Sequence, residues 1–475
     1  MLDLIIRGGD VVTPQGVMKA DVAVAGEIIA AVAAPGALAS GTARREISAE
    51  GKIVMPGGID PHVHLHHGWM KPDGTWMTTA GPEQVGKAAL YGGTTTFIDF
   101  AYWNSNQTAL QCIEARDENF VGKSPCDWAY HIMLHSEPPP EFSGQLAEAI
   151  QAGYPTLKIF TTNILPTRQG RMIDFGDIWE AFQVLARNGG LGVIHAEDND
   201  IVMHMYAKLI REGRTSFHHL AEAHNQLSED LSFRRVLRLA ESVPGTALYM
   251  MHVSAGTGVQ AIREYRAKNL PIYGETLHQY MLFSEEDYKR PNGQMYHTYP
   301  SLKSKEDQKQ LWAGTLDGAI NCVATDELCC TLKEKTLGDR IDNTTGGNSG
   351  VEPRLGVMYT EMVVRRGYSL ERYVDLVSTN AAKIMGLYPQ KGCLAAGSDA
   401  DITIMDPSRR GKVAAADLHE TDYTPWEGHE IFAWPVVTVL RGKIMVENGQ
   451  YFASPRDGKY LKRKIPSEIL GGAAL

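Results

Sequence analysis

The segment Asp60-Pro61-His62-Val63-His64 places two imidazoles two residues apart at the end of an apolar run. On an extended chain such a pair shares one face, so both rings can grip one metal ion. His195, His252 and Asp326 close three further apolar runs, LGVIH, ALYMMH and INCVATD, and Lys158 lies inside a fourth, TLKIF. A lysine within an apolar strand pays heavily for desolvation, and its ammonium would repel a nearby cation. Addition of carbon dioxide to the neutral amine removes both difficulties, because the resulting carbamate is anionic and its two oxygens can bridge two metals. This reading expects two divalent ions, with His62 and His64 on one, His195 and His252 on the other, and carboxylated Lys158 between them. Asp326 is then the remaining oxygen ligand and the candidate catalytic proton carrier. A hydroxide bridging the ions would attack, and the carboxylate would pass its proton to a leaving nitrogen. Nitrogen and oxygen donors without thiolate favour zinc over manganese, cobalt or iron.

A histidine in an apolar strand is more often a hydrogen-bonded core residue than a ligand, and His131, His135, His278 and the His66-His67 pair offer such placements. Cys329 and Cys330, close after Asp326, read as packing residues.

These groups need a frame. Eight short apolar runs recur through the middle of the chain: KIVMPGGID, TTTFIDFA, WAYHIMLH, TLKIFTT, LGVIHAE, ALYMMHVS, PIYGETLH and INCVATDE. Amphipathic stretches such as IWEAFQVLARNGG and GVQAIREYRAKN lie between several of them, with apolar residues at helical spacing. Eight strand–helix units of this size predict a (β/α)8 barrel, whose strand ends converge on one rim. An open doubly wound sheet would carry a Gly-rich phosphate turn after an early strand; the Gly-rich TTGGNSG at 344–350 follows no such strand and reads as a loop. Both ends of the chain have another character, with β-branched runs broken by Gly and Asp, and they predict one β domain built from the two termini. The tail LKRKIPSEILGGAAL reads as an exposed terminus.

The 475 residues carry 46 Lys and Arg against 56 Asp and Glu, a formal charge of −10. That balance argues against nucleic acid and against an anionic membrane as partners. Six scattered cysteines without a C-x-x-C pair favour a reducing compartment. With no signal-like N-terminus and no long apolar run, a cytoplasmic location is expected.

Taken in order, MPGGIDPHVHL, the Lys158 strand, VIHAED, MHVSAGTG, YGETLHQY and ATDE resemble the amidohydrolase superfamily. With KGCLAAGSDADITIMDP, PWEGHEIFAWPVVTVLRGKIMVENGQYF and YLKRK, the likeness extends to the hydantoinase/dihydropyrimidinase family of cyclic amidases and runs from residue 3 to residue 464. The resemblance implies a β-sandwich from residues 1–54 and 395–475 around a barrel at 55–394. It also implies a binuclear metal site, carboxylation at Lys158, catalysis by Asp326 on a small cyclic amide, imide or ureide, and a homotetramer or homodimer.

The likeness breaks around the substrate. The family's usual tyrosine five residues after the bridging lysine is Asn163 here, which could donate to an oxyanion in its place. His66-His67-Gly68-Trp69 follows the H-x-H-L motif, Tyr299-Pro300-Ser301-Leu302-Lys303 replaces the usual Ser-Pro-Pro-Leu-Arg, and the loop before Glu352-Pro353-Arg354 contains Asn348. His66, Asn163, Tyr299 and Asn348 are therefore the candidate substrate contacts, unless these positions are tolerated loop variants. Two other readings compete. One is a mononuclear deaminase of an amino-heterocycle using Glu197, two residues after His195, as proton shuttle. The other is a non-catalytic scaffold, as in collapsin-response mediator proteins, which have lost metal ligands; here no ligand position is empty.

Overall fold

The protein was analysed as a computed structural model that describes residues 2–71, 74–135, 137–168 and 170–475. Eight parallel strands form the centre: β1 (Gly58–Asp60), β2 (Thr94–Trp103), β3 (Asp127–Leu134), β4 (Thr156–Phe160), β5 (Leu191–His195), β6 (Ala247–Met250), β7 (Ile272–Leu277) and β8 (Ile320–Ala324). They pair in chain order from β1 to β8. Their residues are almost all buried, as expected for strands covered on both faces. Helices pack outside them, among them Phe175–Asn188 and Gly256–Arg266. The first ends, as its glycines suggested, with Gly189 in the left-handed region at φ 74°. The result is a nearly closed (β/α)8 barrel.

The seam between β8 and β1 is closed by side chains and by the chain just beyond the strands. Thr325 Oγ1 donates to Asp60 Oδ2 at 2.7 Å, and the His64 amide donates to the Glu327 carbonyl at 2.8 Å. Fully buried Arg354 donates to the carbonyls of Ile59 and Val323, both at 3.0 Å, and so ties the two strands together.

The two ends of the chain share one nine-stranded sheet. Its hub is the strand Leu2–Thr13, antiparallel to Gly16–Ala25 and parallel to Ala43–Ser48 at one end and to Ile53–Val54 at the other. A bulge lies between Ile6 and Gly9, and a Cβ at Gly9 would stand 2.5 Å from Val54 Cγ2. Glycine there lets the strand change partners. Ile53–Pro56 then pairs with Ile402–Asp406, which pairs with Trp434–Leu440. Leu4, Val22, Val54, Ile402, Ile404 and Val439 fill the separate core of this sandwich-like unit.

Two expectations are corrected. KIVMPGGID is not one barrel strand: Ile53–Pro56 belongs to the composite sheet and only Gly58–Asp60 to the barrel. Between them, a Cβ at Gly57 would meet Thr95 Oγ1 at 2.3 Å, so a side chain would block the crossing. The tail is not an exposed end either. Ile465 and Ile469 are buried in the barrel core, and Tyr273 Oη donates to the carbonyls of Ile469 and Gly472 at 2.8 and 2.9 Å.

Candidate metal centre and active site

The chemistry-bearing residues meet at the C-terminal rim of the barrel around a cavity of about 630 Å³, and His62, His64, Lys158, His195, His252 and Asp326 all line it. Lys158 lies within β4 and His195 ends β5. The others stand just past their strands, where the chain turns inward. His252 and Asp326 do so with φ of 38° and 53°, strained values for non-glycine residues.

His62, His64 and Asp326 bring one donor atom each to within 4.8 Å of the others. Asp326 Oδ1 lies 3.0 Å from His62 Nε2 and 3.1 Å from His64 Nε2. Its other oxygen accepts from Thr298 Oγ1 at 2.7 Å, which fixes the carboxylate plane. Burial alone would lower the His62 pKa, but Asp326 and Glu275 outweigh it and raise the pKa to about 9. The trio is thus a place built for positive charge. Beside the trio, with the His252 ring centroid 5.5 Å from that of His62, His195 and His252 stand with ring centroids 4.5 Å apart. Burial, only partly offset by Glu197, holds His195 down to about 4; burial and then the neighbouring His195 and Lys158 hold His252 far below the usual range. Both rings are neutral near pH 7, the state in which imidazole binds a metal.

Lys158 is buried with its Nζ 2.9 Å from Met251 Sδ, a weak acceptor. The rings of Phe160 and Phe100 lie 4.8 and 5.7 Å away. Burial brings its pKa down to about 7, against the smaller opposing pull of Asp326 and Glu275.

Two orienting carboxylates had no place in the ligand set read from sequence. Glu275, on β7, bonds His62 Nδ1 at 2.8 Å, and Glu197 bonds His195 Nε2 at 2.9 Å. Such partners fix the tautomer and aim of a ligating imidazole. The signal was a buried acid within each motif, GET and HAED. Glu197 also takes His224 Nδ1 at 2.8 Å and is fully buried outside the cavity wall. The deaminase reading needed a shuttle facing substrate, and Glu197 does not face it.

Of the four candidate substrate contacts, only Tyr299 lines the cavity; its Oη donates to the Thr344 carbonyl at 3.0 Å. Asn163 turns its Oδ1 into its own loop and accepts the amides of Arg171 and Met172, both at 3.0 Å. His66 sits in a left-handed turn at φ 52°. Asn348 is buried, with its backbone carbonyl taking the Leu328 amide at 3.0 Å. None of these three is among the cavity-lining residues. The wall is supplied instead by His67, Tyr102, His135, Arg168 and Arg171, together with Thr344–Gly347. Lys335 holds that last stretch by donating to the carbonyls of Thr345 and Gly347 at 2.6 Å. Of the other histidines, His131 is a satisfied core residue between Thr156 Oγ1 and the Pro61 carbonyl, and His278 stacks on Trp426. Cys329 and Cys330 are buried away from the cavity.

A (β/α)8 barrel with a histidine–carboxylate cluster at its C-terminal rim defines a class of metal-dependent hydrolases. Residues 53–445 match the model of the amidohydrolase family, and the chain belongs to that family. It is 32% identical over 467 residues to the D-hydantoinase of Geobacillus stearothermophilus, covering 97% of this chain and 96% of that protein. It is 32% identical over 471 residues to the D-hydantoinase of Ralstonia pickettii, covering 98% and 99%. Among solved structures, the dihydropyrimidinase of Brevibacillus agri superposes with a TM-score of 0.91 at 29% identity, over 98% of this chain and 99% of that one. No helix among the described residues is long and apolar enough to cross a membrane.

Proposed function

We propose that this protein is a metal-dependent hydrolase that opens a small cyclic amide, imide or ureide ring of the hydantoin or dihydropyrimidine kind. One observation carries the reading: a ready-made histidine–carboxylate trio shares one cavity with a histidine pair and a buried lysine that no carboxylate bonds among the described residues. His62, His64 and Asp326 fit one divalent ion. His195 and His252 fit a second but lack an anion of their own, and Lys158 carries no charge the site can use until it is carboxylated. The carbamate would complete that ligand set and be shared between the ions. The donor set suits zinc.

Bound metals would polarise the substrate carbonyl and acidify water. Asp326 takes the proton of the attacking water and returns it to the departing ring nitrogen. Thr298 keeps its carboxylate aimed during both transfers, and Glu275 and Glu197 hold their imidazoles in the metal-binding tautomer. An assembly of two or four copies in the cytoplasm belongs to the same reading.

The test is a panel of dihydrouracil, hydantoin, 5-substituted hydantoins, allantoin and succinimide with zinc-loaded protein, followed by loss of ultraviolet absorbance, alongside elemental analysis. Ring opening with two ions per chain is expected. One ion per chain and no ring opened would overturn the proposal.

A further inference from the structure

The cavity has two chemically distinct sides. The metal-ligating side is described above; another stretch of the wall carries Arg168 and Arg171 from the loop after β4. Arg171 is clamped in place. Its guanidinium lies 5.0 Å from the centroid of Phe160, and Nη2 donates to His135 Nε2 at 3.2 Å. Burial, and then Arg171 itself, hold His135 down to about 4, so the ring is neutral and accepts. The Nε of Arg171 is buried with no partner. The neighbours acting on it are a second cation, Arg168, and the neutral phenol of Tyr102, and no carboxylate pairs with it among the described residues. Arg168 lies over the Tyr299 ring at 5.8 Å. The acid on this wall, Asp342, is already held by Arg340 through two bonds of 2.9 Å.

A half-buried guanidinium whose Nε is sealed from solvent without an anion is costly, and its five donors form a fork that matches a carboxylate. Phe160 sets the distance. Lys158 Nζ approaches the same ring at 4.8 Å, so the fork is one aromatic ring away from the metal-ligating side. Asn163 explains how the arginine gets there. By accepting the amides of residues 171 and 172 through one oxygen, it folds the loop back over the cavity, which a tyrosine hydroxyl on a rigid ring could not do at this range.

We infer that Arg171, backed by Arg168, binds a carboxylate on a side arm of the substrate ring, so that the preferred substrates are anionic cyclic ureides or imides, with Asn163 as the positioning residue. This rests on the ring-opening activity proposed above. The probe pair is hydantoin-5-acetate and its neutral amide, which share ring, length and the carboxylate formed by hydrolysis. With metal-loaded wild-type protein, kcat/KM for the acid should exceed that for the amide by roughly 10-fold or more, mainly through KM. In Arg171→Gln that ratio should fall roughly 10- to 100-fold, with Arg171→Lys retaining part of it and Arg168→Gln showing a smaller loss. Calorimetric binding of hydantoin-5-acetate should weaken in the same order. A wild-type ratio near one, which needs no variant to fold, overturns the anion site while ring opening of both probes keeps the hydrolase. Arg171-dependent binding of the acid with neither ring opened supports the anion site and overturns the hydrolase.

Discussion

Lys391 and Lys158 are both buried, and their surroundings are opposite. Lys391, at the junction of barrel and composite sheet, lies 2.6 Å from Asp127, 2.7 Å from Asp401 and 3.0 Å from Asp399. Its pKa is raised, because those carboxylates outweigh the desolvation that would lower it. Lys158 has a thioether and two aromatic rings as near neighbours, and burial takes it down to about 7. A buried lysine given its anions by the chain is a permanent cation and a strut between two units. One denied them keeps a large neutral fraction near pH 7, and neutral amine is the form that reacts with carbon dioxide. Burial alone does not separate the structural lysine from the chemical one; the neighbouring carboxylates do.

The comparison is broken most directly at Lys158. Lys158→Ala should lower ring-opening activity by about 1,000-fold or more and leave fewer than two ions per chain by elemental analysis. Short carboxylates added to that variant should restore part of both, because they supply the missing anion. Full activity with two bound ions in Lys158→Ala would remove the basis of the contrast. Lys391→Met should act on the other quantity. It leaves buried Asp127 and Asp401 and half-buried Asp399 around an apolar group, so a loss of about 3–5 kcal/mol is expected by denaturant unfolding, with metal content unchanged in the folded fraction.

Two smaller effects sharpen the picture. Asp99 takes Arg116 at 2.7 Å, His67 at 3.0 Å and the Leu65 amide at 2.8 Å, fixing the chain just after His64. Burial would raise its pKa, but Arg116 and then His67 bring it down from 3.8 to about 2. A depressed carboxylate stabilises above its unfolded pKa and loses that contribution as pH falls through the folded one. Metal-free Asp99→Asn should therefore be less stable by about 2–3 kcal/mol at pH 6, and the difference should shrink between pH 4 and pH 2 in denaturant titrations. Glu275→Gln keeps the shape but weakens the bond to His62 Nδ1. Zinc affinity should fall by about 10- to 100-fold in a chelator competition, with unfolding of the metal-free protein little altered.

Much of this was legible along the chain. Seven of the eight barrel strands fall where apolar, β-branched runs stand, because strands buried on both faces need continuous apolar residues. The six residues read as chemical from their place on those runs reach one rim, because parallel barrel strands all end on the same side. The first strand was misread because composition does not reveal that two glycines let one apolar run change sheets. The substrate contacts were the poorest guide. His66, Asn163 and Asn348 were chosen by position relative to motifs, but loop side chains turn according to which backbone groups need partners, and Asn163 turned to its own loop.

The alternation of strands and helices, and the inventory and order of metal-binding residue types, could be read along the chain, since these depend on local periodicity and on chemistry carried by single side chains. That Glu275 and Glu197 aim the imidazoles, that three acids hold Lys391 while none bonds Lys158 among the described residues, and that Arg171 lines the cavity without a carboxylate partner emerged from the folded arrangement. Those are relations between residues distant in the chain, and a carboxylate's influence falls with distance through space, which no spacing along one strand can report.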